Sequence, residues 1–185
     1  MGEDMKTLCA AILALGLTGL PAWSADRDGS HDFDFEHGSW HIHLKKLMHP
    51  LSGANDWVEF DGTSVTRPLW GSRANIEEFE ADSPSGHIEG LTLRTYNPQT
   101  HNWQIYWSSA KDGRMDPPQI GQFKDGVGRF YAVDTVYGKY VIVRFEWSKL
   151  NSGRPHFEQA FSEDGGKTWE VNWITDQWHE SKPAH

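Results

Sequence analysis

Apolar and polar residues alternate along most of this chain, with the period of two that is typical of half-buried β-strands. In the run 38–48, Trp40, Ile42 and Leu44 form an apolar side, and His41 and His43 lie on the other side. The same alternation recurs with short interruptions almost to the end of the chain. It predicts nine strands, at 38–48, 57–68, 74–81, 88–97, 102–109, 127–136, 140–148, 155–162 and 168–179.

The interruptions between these runs carry residues that favour tight turns. Asp125-Gly126 and Tyr137-Gly138 are typical of hairpin turns, and the proline pair 117–118 predicts a loop over 112–119. A helical period is absent from the sequence, apart from a short turn of helix that could form near 32–37. About nine or ten antiparallel strands with short connections favour a sandwich or a closed barrel.

The apolar sides of successive strands carry many large rings, and the chain has ten tryptophans. Strands that share one aromatic side can bury it by closing, and closure also removes exposed sheet edges. We therefore predict an all-β fold, an antiparallel up-and-down barrel of about nine or ten strands. The expected inward residues are Trp40, Phe60, Leu91, Leu93, Trp103, Trp107, Phe130, Val143, Phe145, Trp147, Phe157, Phe161 and Trp173.

The N-terminus has the pattern of a secretory signal peptide. Lys6 precedes an apolar run over 8–20, and Ala22-Trp23-Ser24 resembles a cleavage site. We expect a signal peptide over 1–24 that is removed, a flexible leader over 25–32, one barrel domain over 33–179 and a tail over 180–185. The predicted location is periplasmic or secreted. The single cysteine, Cys9, would leave with the signal, so the mature chain would have no disulfide.

A formal net charge of -9 restricts the partners of this protein. Nucleic acids and anionic membrane surfaces attract basic patches, so neither is an expected partner. We also expect no stable membrane insertion and no cofactor. The oligomeric state stays open.

The segment Ser162–Trp169 reads S-x-D-x-G-x-T-W, the pattern of the Asp-box hairpin that sialidases carry in several copies. Asp164 can accept backbone hydrogen bonds, and the adjacent glycines can take positive φ. These are structural tasks, and this chain has one copy. We therefore interpret the motif as a hairpin turn.

Several polar groups are candidates for chemistry. His41 and His43 share a strand side and could hold a metal or haem, and His37 and His49 lie nearby in sequence. The pair lies opposite Trp40 and Ile42 and is expected to face outward, and no zinc-site signature surrounds it, so we predict no metal site. The carboxylates are interpreted mainly as solvent-facing. If the polar strand faces lined the barrel, Arg94, Tyr96 and Arg144 would form an alternative polar site.

Six segments together resemble a largely uncharacterised bacterial family of lipocalin-like (calycin) β-barrel proteins. The resemblance spans 33–178 and is carried by FDFEHGSWHIH, WVEFDGTSVTRPLWG, GLTLRTYNPQTHNWQIYW, DGRMDPP, VRFEWS and FEQAFSEDGGKTWEVNWITD. It implies a calycin barrel and no particular activity, because calycins include both carriers and enzymes.

Two functional hypotheses follow. The first is an exported protein that binds a small apolar or aromatic molecule in an aromatic-lined cavity, with Thr175 as a further polar group. The ligand-binding residues would be Trp40, Phe60, Trp103, Trp107, Phe145, Trp147, Gln159 and Trp173. The alternative is a lyase, isomerase or hydrolase that uses acid-base residues inside the barrel. No catalytic residue is assigned from the sequence.

Overall fold

The computed structural model describes residues 27–179, which form one closed barrel of ten antiparallel strands. A single turn of 3-10 helix, Asp34–Glu36, precedes the first strand. The strands are β1 (Gly38–Leu47), β2 (Trp57–Leu69), β3 (Ala74–Ser83), β4 (Gly86–Asn97), β5 (Asn102–Ser109), β6 (Gln119–Lys124), β7 (Val127–Val136), β8 (Lys139–Ser148), β9 (His156–Ser162) and β10 (Glu170–Trp178).

Each strand pairs with its neighbours in sequence, and β1 closes the barrel by pairing with β10 from His41–Trp178 to Lys46–Trp173. The predicted all-β, up-and-down barrel is therefore confirmed. The nine predicted strands are all present, and a tenth, β6, was missed. β6 begins at Gln119, directly after the two prolines that indicated a loop.

The pairing between β5 and β6 is short. Three residue pairs join them, from Trp103–Gly121 to Ile105–Gln119, whereas eight pairs join β4 and β5. The upper half of β7, residues 132–136, pairs with β8 but has no partner on β6. The loop 110–118 crosses this gap, and Asp116 is fixed there by a 2.8 Å hydrogen bond from its backbone N–H to the carbonyl of Trp107.

The segment before β1 closes one end of the barrel, which we call the floor. Phe33 is buried among Trp103, Phe123 and Trp147, with ring centroids 4.9 to 5.3 Å apart. Trp103 Nε1 also donates a 2.9 Å hydrogen bond to the carbonyl of Gly29. Gly29 and Ser30, which the sequence placed in a flexible leader, are thus packed against the barrel. Aromatic burial at this end holds the segment in place.

Inward and outward faces follow the predicted alternation on most strands, but β4 is inverted. Leu91 and Leu93 were expected inside; Thr92, Arg94 and Tyr96 are the buried residues, and the two leucines are on the outer face. Shifting the pairing register of a strand by one residue moves every side chain of that strand to the other face of the sheet. The register is set by β3, where Asn75 is opposite Arg94 and Phe79 is opposite Gly90.

Some expectations concern parts of the chain outside the described residues. The signal peptide over 1–24 and the tail over 180–185 both lie there. Among residues 27–179, no helix has the length and apolar character needed to cross a membrane.

Candidate functional site

The barrel contains a cavity of about 310 Å³ that opens at the end opposite the floor. This volume lies at the lower limit of typical small-molecule sites. Strands β3, β5, β8, β9 and β10 contribute its aromatic walls. These rings are Phe79, Trp107, Phe145, Trp147, Phe157, Phe161 and Trp173.

The lining rings include two clusters. Trp107 on β5 and Trp173 on β10 approach to 6.4 Å between centroids, and Phe79 packs against both. In the second cluster, Phe145 on β8 and Phe157 on β9 have centroids 5.3 Å apart. The space between β1, β2 and β3 is filled by apolar side chains, so the barrel is part packed core and part cavity.

Glu36 lies on the floor of the cavity and is 1% exposed. Its two carboxyl oxygens accept hydrogen bonds from Trp147 Nε1 at 2.8 Å and from Gln177 Nε2 at 2.9 Å. Its backbone carbonyl accepts a further bond from Trp40 Nε1 at 2.8 Å. The 3-10 turn and three strands together fix this carboxyl at the base of the ligand space.

Arg94 and Glu77 form a buried ion pair beside Glu36. Arg94 Nη2 donates to Glu77 Oε2 at 2.5 Å, and Nη1 donates to Asn75 Oδ1 at 3.1 Å. Ser64 Oγ donates to the other oxygen of Glu77 at 2.6 Å. The guanidinium carbon is 5.1 Å from the Phe33 ring centroid, within the range of a cation–π contact. The two terminal nitrogens of Arg94 are therefore engaged by Asn75 and Glu77, while its Nε is buried without a hydrogen-bond partner among residues 27–179.

Burial raises the pKa of Glu36, because removing a carboxylate from water disfavours its charged form. Arg94 opposes this shift, and the negative charge of Glu77 adds to it. Among residues 27–179, the direct hydrogen-bond partners of the Glu36 carboxyl are both neutral. No cation forms an ion pair with this carboxyl among residues 27–179, and burial favours its protonated form.

Gln119, at the start of β6, also lines the cavity and is 5% exposed. Its Oε1 atom is buried and has no hydrogen-bond partner within 27–179. Such orphaned acceptors are costly and uncommon in folded proteins. A ligand that donates a hydrogen bond would satisfy this oxygen.

The rim of the cavity carries Lys46, Asp116 and Asp134. Burial raises the pKa of Asp116, and the neighbouring Asp134 and Asp112 raise it further. Burial also lowers the pKa of Lys46, with Lys111 contributing in the same direction. Asp116 and Pro117 come from the loop that spans the gap between β5 and β7, so this loop borders the entrance.

The structure brings together five of the eight residues proposed for ligand binding. Those that line the cavity are Trp107, Phe145, Trp147, Gln159 and Trp173, and Thr175 lines it too.

The other three proposed residues are buried but lie outside the cavity lining. Trp40 stacks on His179 at 3.5 Å, Phe60 belongs to the filled core beside Ile42, and Trp103 packs under Phe33. The sequence identified them as inward but could not show which inward positions are covered.

The three residues of the alternative polar site separate in the structure. Arg94 lines the cavity. Tyr96 is buried in the floor, where its hydroxyl accepts a 3.1 Å hydrogen bond from the backbone N–H of Gly29. Arg144 is on the outer face, with its guanidinium carbon 4.7 Å from the ring centroid of Trp169. The structure therefore does not bring the three together, because even-numbered residues face inward on β4 and outward on β8.

Glu36, Glu77 and Gln119 were not selected from the sequence. Glu36 precedes the first strand and has no periodic context, and Glu77 lies beside the exposed Glu78 in an acidic run. Arg94 on β4 was the signal that could have pointed to Glu77, since a buried guanidinium requires a carboxylate partner.

Neither of the two strand histidines lines the cavity. His43 is on the outer face and pairs with Asp61 at 2.8 Å, while His41 stacks on Trp178. Among the described residues, Glu80, Asp82 and His87 bring three ligand atoms within 4.8 Å of one another, but all three side chains are exposed. Exposed acidic groups of this kind are common without a metal, and we assign none here.

The segment Ser162–Trp169 forms the connection between β9 and β10. Asp164 Oδ1 accepts hydrogen bonds from the backbone N–H groups of Thr168 and Lys167, and from Ser162 Oγ. Gly165 and Gly166 both have positive φ. None of the residues 162–169 lines the cavity.

Comparisons with solved structures find proteins of similar fold. No family model matches the chain, and no curated protein matches it. The solved structure of an S-type phycobiliprotein lyase, CPES, from Guillardia theta is similar, with a TM-score of 0.58 over 85% of this chain and 95% of that one. The sequences are 9% identical, so the likeness concerns the fold. This protein has a lipocalin-like, calycin barrel fold.

Proposed function

We propose that this protein is an exported small-molecule-binding protein whose ligand carries an aromatic or apolar body. The observation that supports the proposal best is the cavity lined by two clusters of aromatic rings, Phe79, Trp107 and Trp173 in one and Phe145 and Phe157 in the other. Rigid rings around a cavity favour a flat guest that can stack or make edge contacts.

The surroundings of the cavity agree with a binding role. Strands β5 and β6 pair over a short stretch, and beyond that stretch the loop 110–118 borders the cavity. The remaining walls are paired strands. Loops move more readily than paired strands, so entry beside Asp116 and Pro117 requires little disruption of the barrel. The neighbour with the same fold is described as a phycobiliprotein lyase, and we extend from it only the use of such a barrel for small molecules.

Export and membership of the bacterial calycin family remain part of the proposal. Export is supported by Lys6, the apolar run over 8–20 and the Ala22-Trp23-Ser24 segment. Expressing the full chain in a bacterium with a Sec pathway tests this. We expect a periplasmic product that begins near Ala25, and an uncleaved cytoplasmic product would contradict it.

Calorimetric titration with two neutral probes tests the ligand class. Tryptophol offers a flat bicyclic ring, and decanol offers a flexible chain. We expect tryptophol to bind about fivefold more tightly, since aromatic pairs add roughly 1 kcal/mol beyond burial. Absence of binding by both probes would contradict the proposal, and a preference for decanol would contradict an aromatic ligand.

Two tryptophan variants locate the site. Trp107→Ala removes a cavity wall and should weaken tryptophol binding about fivefold. Trp70→Ala removes an indole that is 70% exposed and is not part of the cavity lining. It should leave the affinity unchanged, and equal effects of the two variants would place binding elsewhere.

An enzyme is the second candidate, and Glu36 is the observation that favours it. A buried carboxyl with a raised pKa, close to a guanidinium, is the type of group that acts in general acid-base catalysis. In this case Glu36 would transfer the proton, and Arg94 would stabilise negative charge that develops on the substrate.

Product analysis separates the two candidates. Compounds that bind in the cavity are incubated with the protein and followed by NMR. A binding protein returns each compound unchanged. An enzyme converts at least one of them, and Glu36→Gln abolishes the conversion while the fold is retained. Conversion that persists in Glu36→Gln would exclude this residue as the acid-base group.

A further inference from the structure

Acidic side chains outnumber basic ones in the cavity lining. Six ionisable side chains line the cavity: four carboxylic acids, Glu36, Glu77, Asp116 and Asp134, and two bases, Lys46 and Arg94. The excess of acids favours a ligand with positive charge. This inference rests on the proposed binding function and specifies the charge of the ligand.

The arginine does not supply the missing positive charge for Glu36. Arg94 donates to Glu77 and Asn75, and no ion pair within 4.0 Å involves Glu36 in the described part of the chain. Glu36 is instead held by the neutral donors Trp147 and Gln177. A carboxylate that is buried without a counter-ion carries a desolvation cost that a cationic ligand would offset.

A second acceptor in the cavity points to the same chemistry. Gln119 Oε1 is buried and unpartnered, and its side chain lines the cavity. An ammonium group has three N–H donors and no acceptor. The lining offers such a group both a carboxylate and an amide oxygen as acceptors, whereas an alcohol has a single donor to give.

The aromatic walls are compatible with a positive charge. Ring faces attract cations electrostatically, and the attraction strengthens away from water. This chain already makes two such contacts at the floor, where Arg94 lies 5.1 Å from the Phe33 centroid and 5.6 Å from that of Trp147.

We propose that the cavity binds a protonated aromatic amine, with the ammonium group at Glu36 and Gln119 and the ring between the aromatic walls. The carboxylate is the counter-ion of the ligand, and the amide oxygen accepts a second hydrogen bond. The rim carboxylates Asp116 and Asp134 attract the cation to the entrance.

Three probes with the same ring and different head groups test this by calorimetry near neutral pH. Tryptamine is a cation, tryptophol is neutral and indole-3-propionate is an anion. We expect tryptamine to bind about tenfold more tightly than tryptophol, because charge-assisted hydrogen bonds are roughly twice as strong as neutral ones. Indole-3-propionate should bind most weakly.

The variant Glu36→Gln should remove the preference for tryptamine and leave tryptophol affinity nearly unchanged. The control Glu78→Gln, on the outer face of β3, should retain the preference. If Glu36→Gln does not fold, Gln119→Leu provides an independent test, and it should weaken tryptamine binding several-fold.

The outcomes distinguish this inference from the proposed function. Equal affinities, or a preference for indole-3-propionate, would overturn the cationic ligand and leave the aromatic cavity in place. A tryptamine preference that survives both Glu36→Gln and Gln119→Leu would overturn the assigned position. If none of the three probes binds, the proposed function and this inference both fail.

Discussion

Arg94 on β4 donates a 2.5 Å hydrogen bond to Glu77 on β3 inside the barrel, where both side chains are almost completely buried. Glu78, the residue after Glu77 on β3, pairs with Arg67 of β2 on the outer surface. The chain therefore contains an inner and an outer arginine–glutamate pair on adjoining strands, which allows burial to be tested with closely matched variants.

Removing the inner arginine should destabilise the protein strongly. Arg94→Met leaves Glu77 buried without its partner, which typically costs about 3–5 kcal/mol in the free energy of unfolding. Arg67→Met removes an exposed partner and should change that free energy by about 0–1 kcal/mol. Chemical denaturation measures both. Similar values for the two variants would mean that Arg94 is not buried against Glu77.

Glu36 should give the stability a pH dependence of a specific sign. Its pKa in the folded protein is raised above the ordinary 4.5, so the folded state holds the proton more tightly than the unfolded state. The free energy of unfolding should therefore fall as pH rises from about 4.5 through the raised pKa.

The variant Glu36→Gln should lose that contribution. Its free energy of unfolding, measured by denaturation at several pH values, should decrease less than that of the original chain over the same interval. Parallel curves for the two proteins would show that Glu36 titrates normally.

Asp164 should contribute with the opposite sign. Its pKa is lowered from 3.8 to about 2 because the backbone N–H and the hydroxyl of Thr168, and the hydroxyl of Ser162, donate to it. The stabilisation is complete above the ordinary pKa and is lost as pH falls from 3.8 towards 2.

Asp164→Asn tests the hairpin turn directly. It should lower the melting temperature near neutral pH, and the difference in melting temperature from the original chain should become smaller in acid. Glu163→Gln changes the adjacent, exposed carboxylate and is the matched control. A deficit that stays constant in acid would contradict the assigned hydrogen bonds.

Gly90 should control the width of the cavity. A Cβ atom at this position would approach the ring of Trp107 to 2.5 Å, and the carbonyl oxygen of Ser108 to 2.8 Å. Gly90→Ala should displace the indole and weaken tryptophol binding in a calorimetric titration. In the background of Trp107→Leu the same substitution should have a smaller effect, and additive effects would argue against contact between the two residues.

The fold could be predicted because local pattern and global architecture agree on most strands. Alternation at Trp40, Ile42 and Leu44 fixed the inner face of β1, and the turn at Asp125-Gly126 fixed a hairpin. β4 was misjudged because its leucines indicated one inner face, whereas pairing with β3 and the ion pair to Glu77 determine the other.

The site was harder to predict than the fold. Trp107 and Trp173 were identified as inward residues, but Phe60 and Trp103 have the same pattern and lie in filled parts of the barrel. Whether an inward ring borders a cavity depends on packing across the lumen, and the pattern of a single strand does not contain that information. Glu36 reaches the cavity from a turn outside the barrel strands, where no periodicity applies.

The most direct test of the account follows the indole N–H resonances of labelled tryptophans by NMR during titration with tryptophol. We expect the signals of Trp107, Trp147 and Trp173 to shift because these indoles border the cavity, and those of Trp40 and Trp70 to stay in place. Shifts confined to Trp70, or no shifts at saturating probe, would contradict binding inside the barrel.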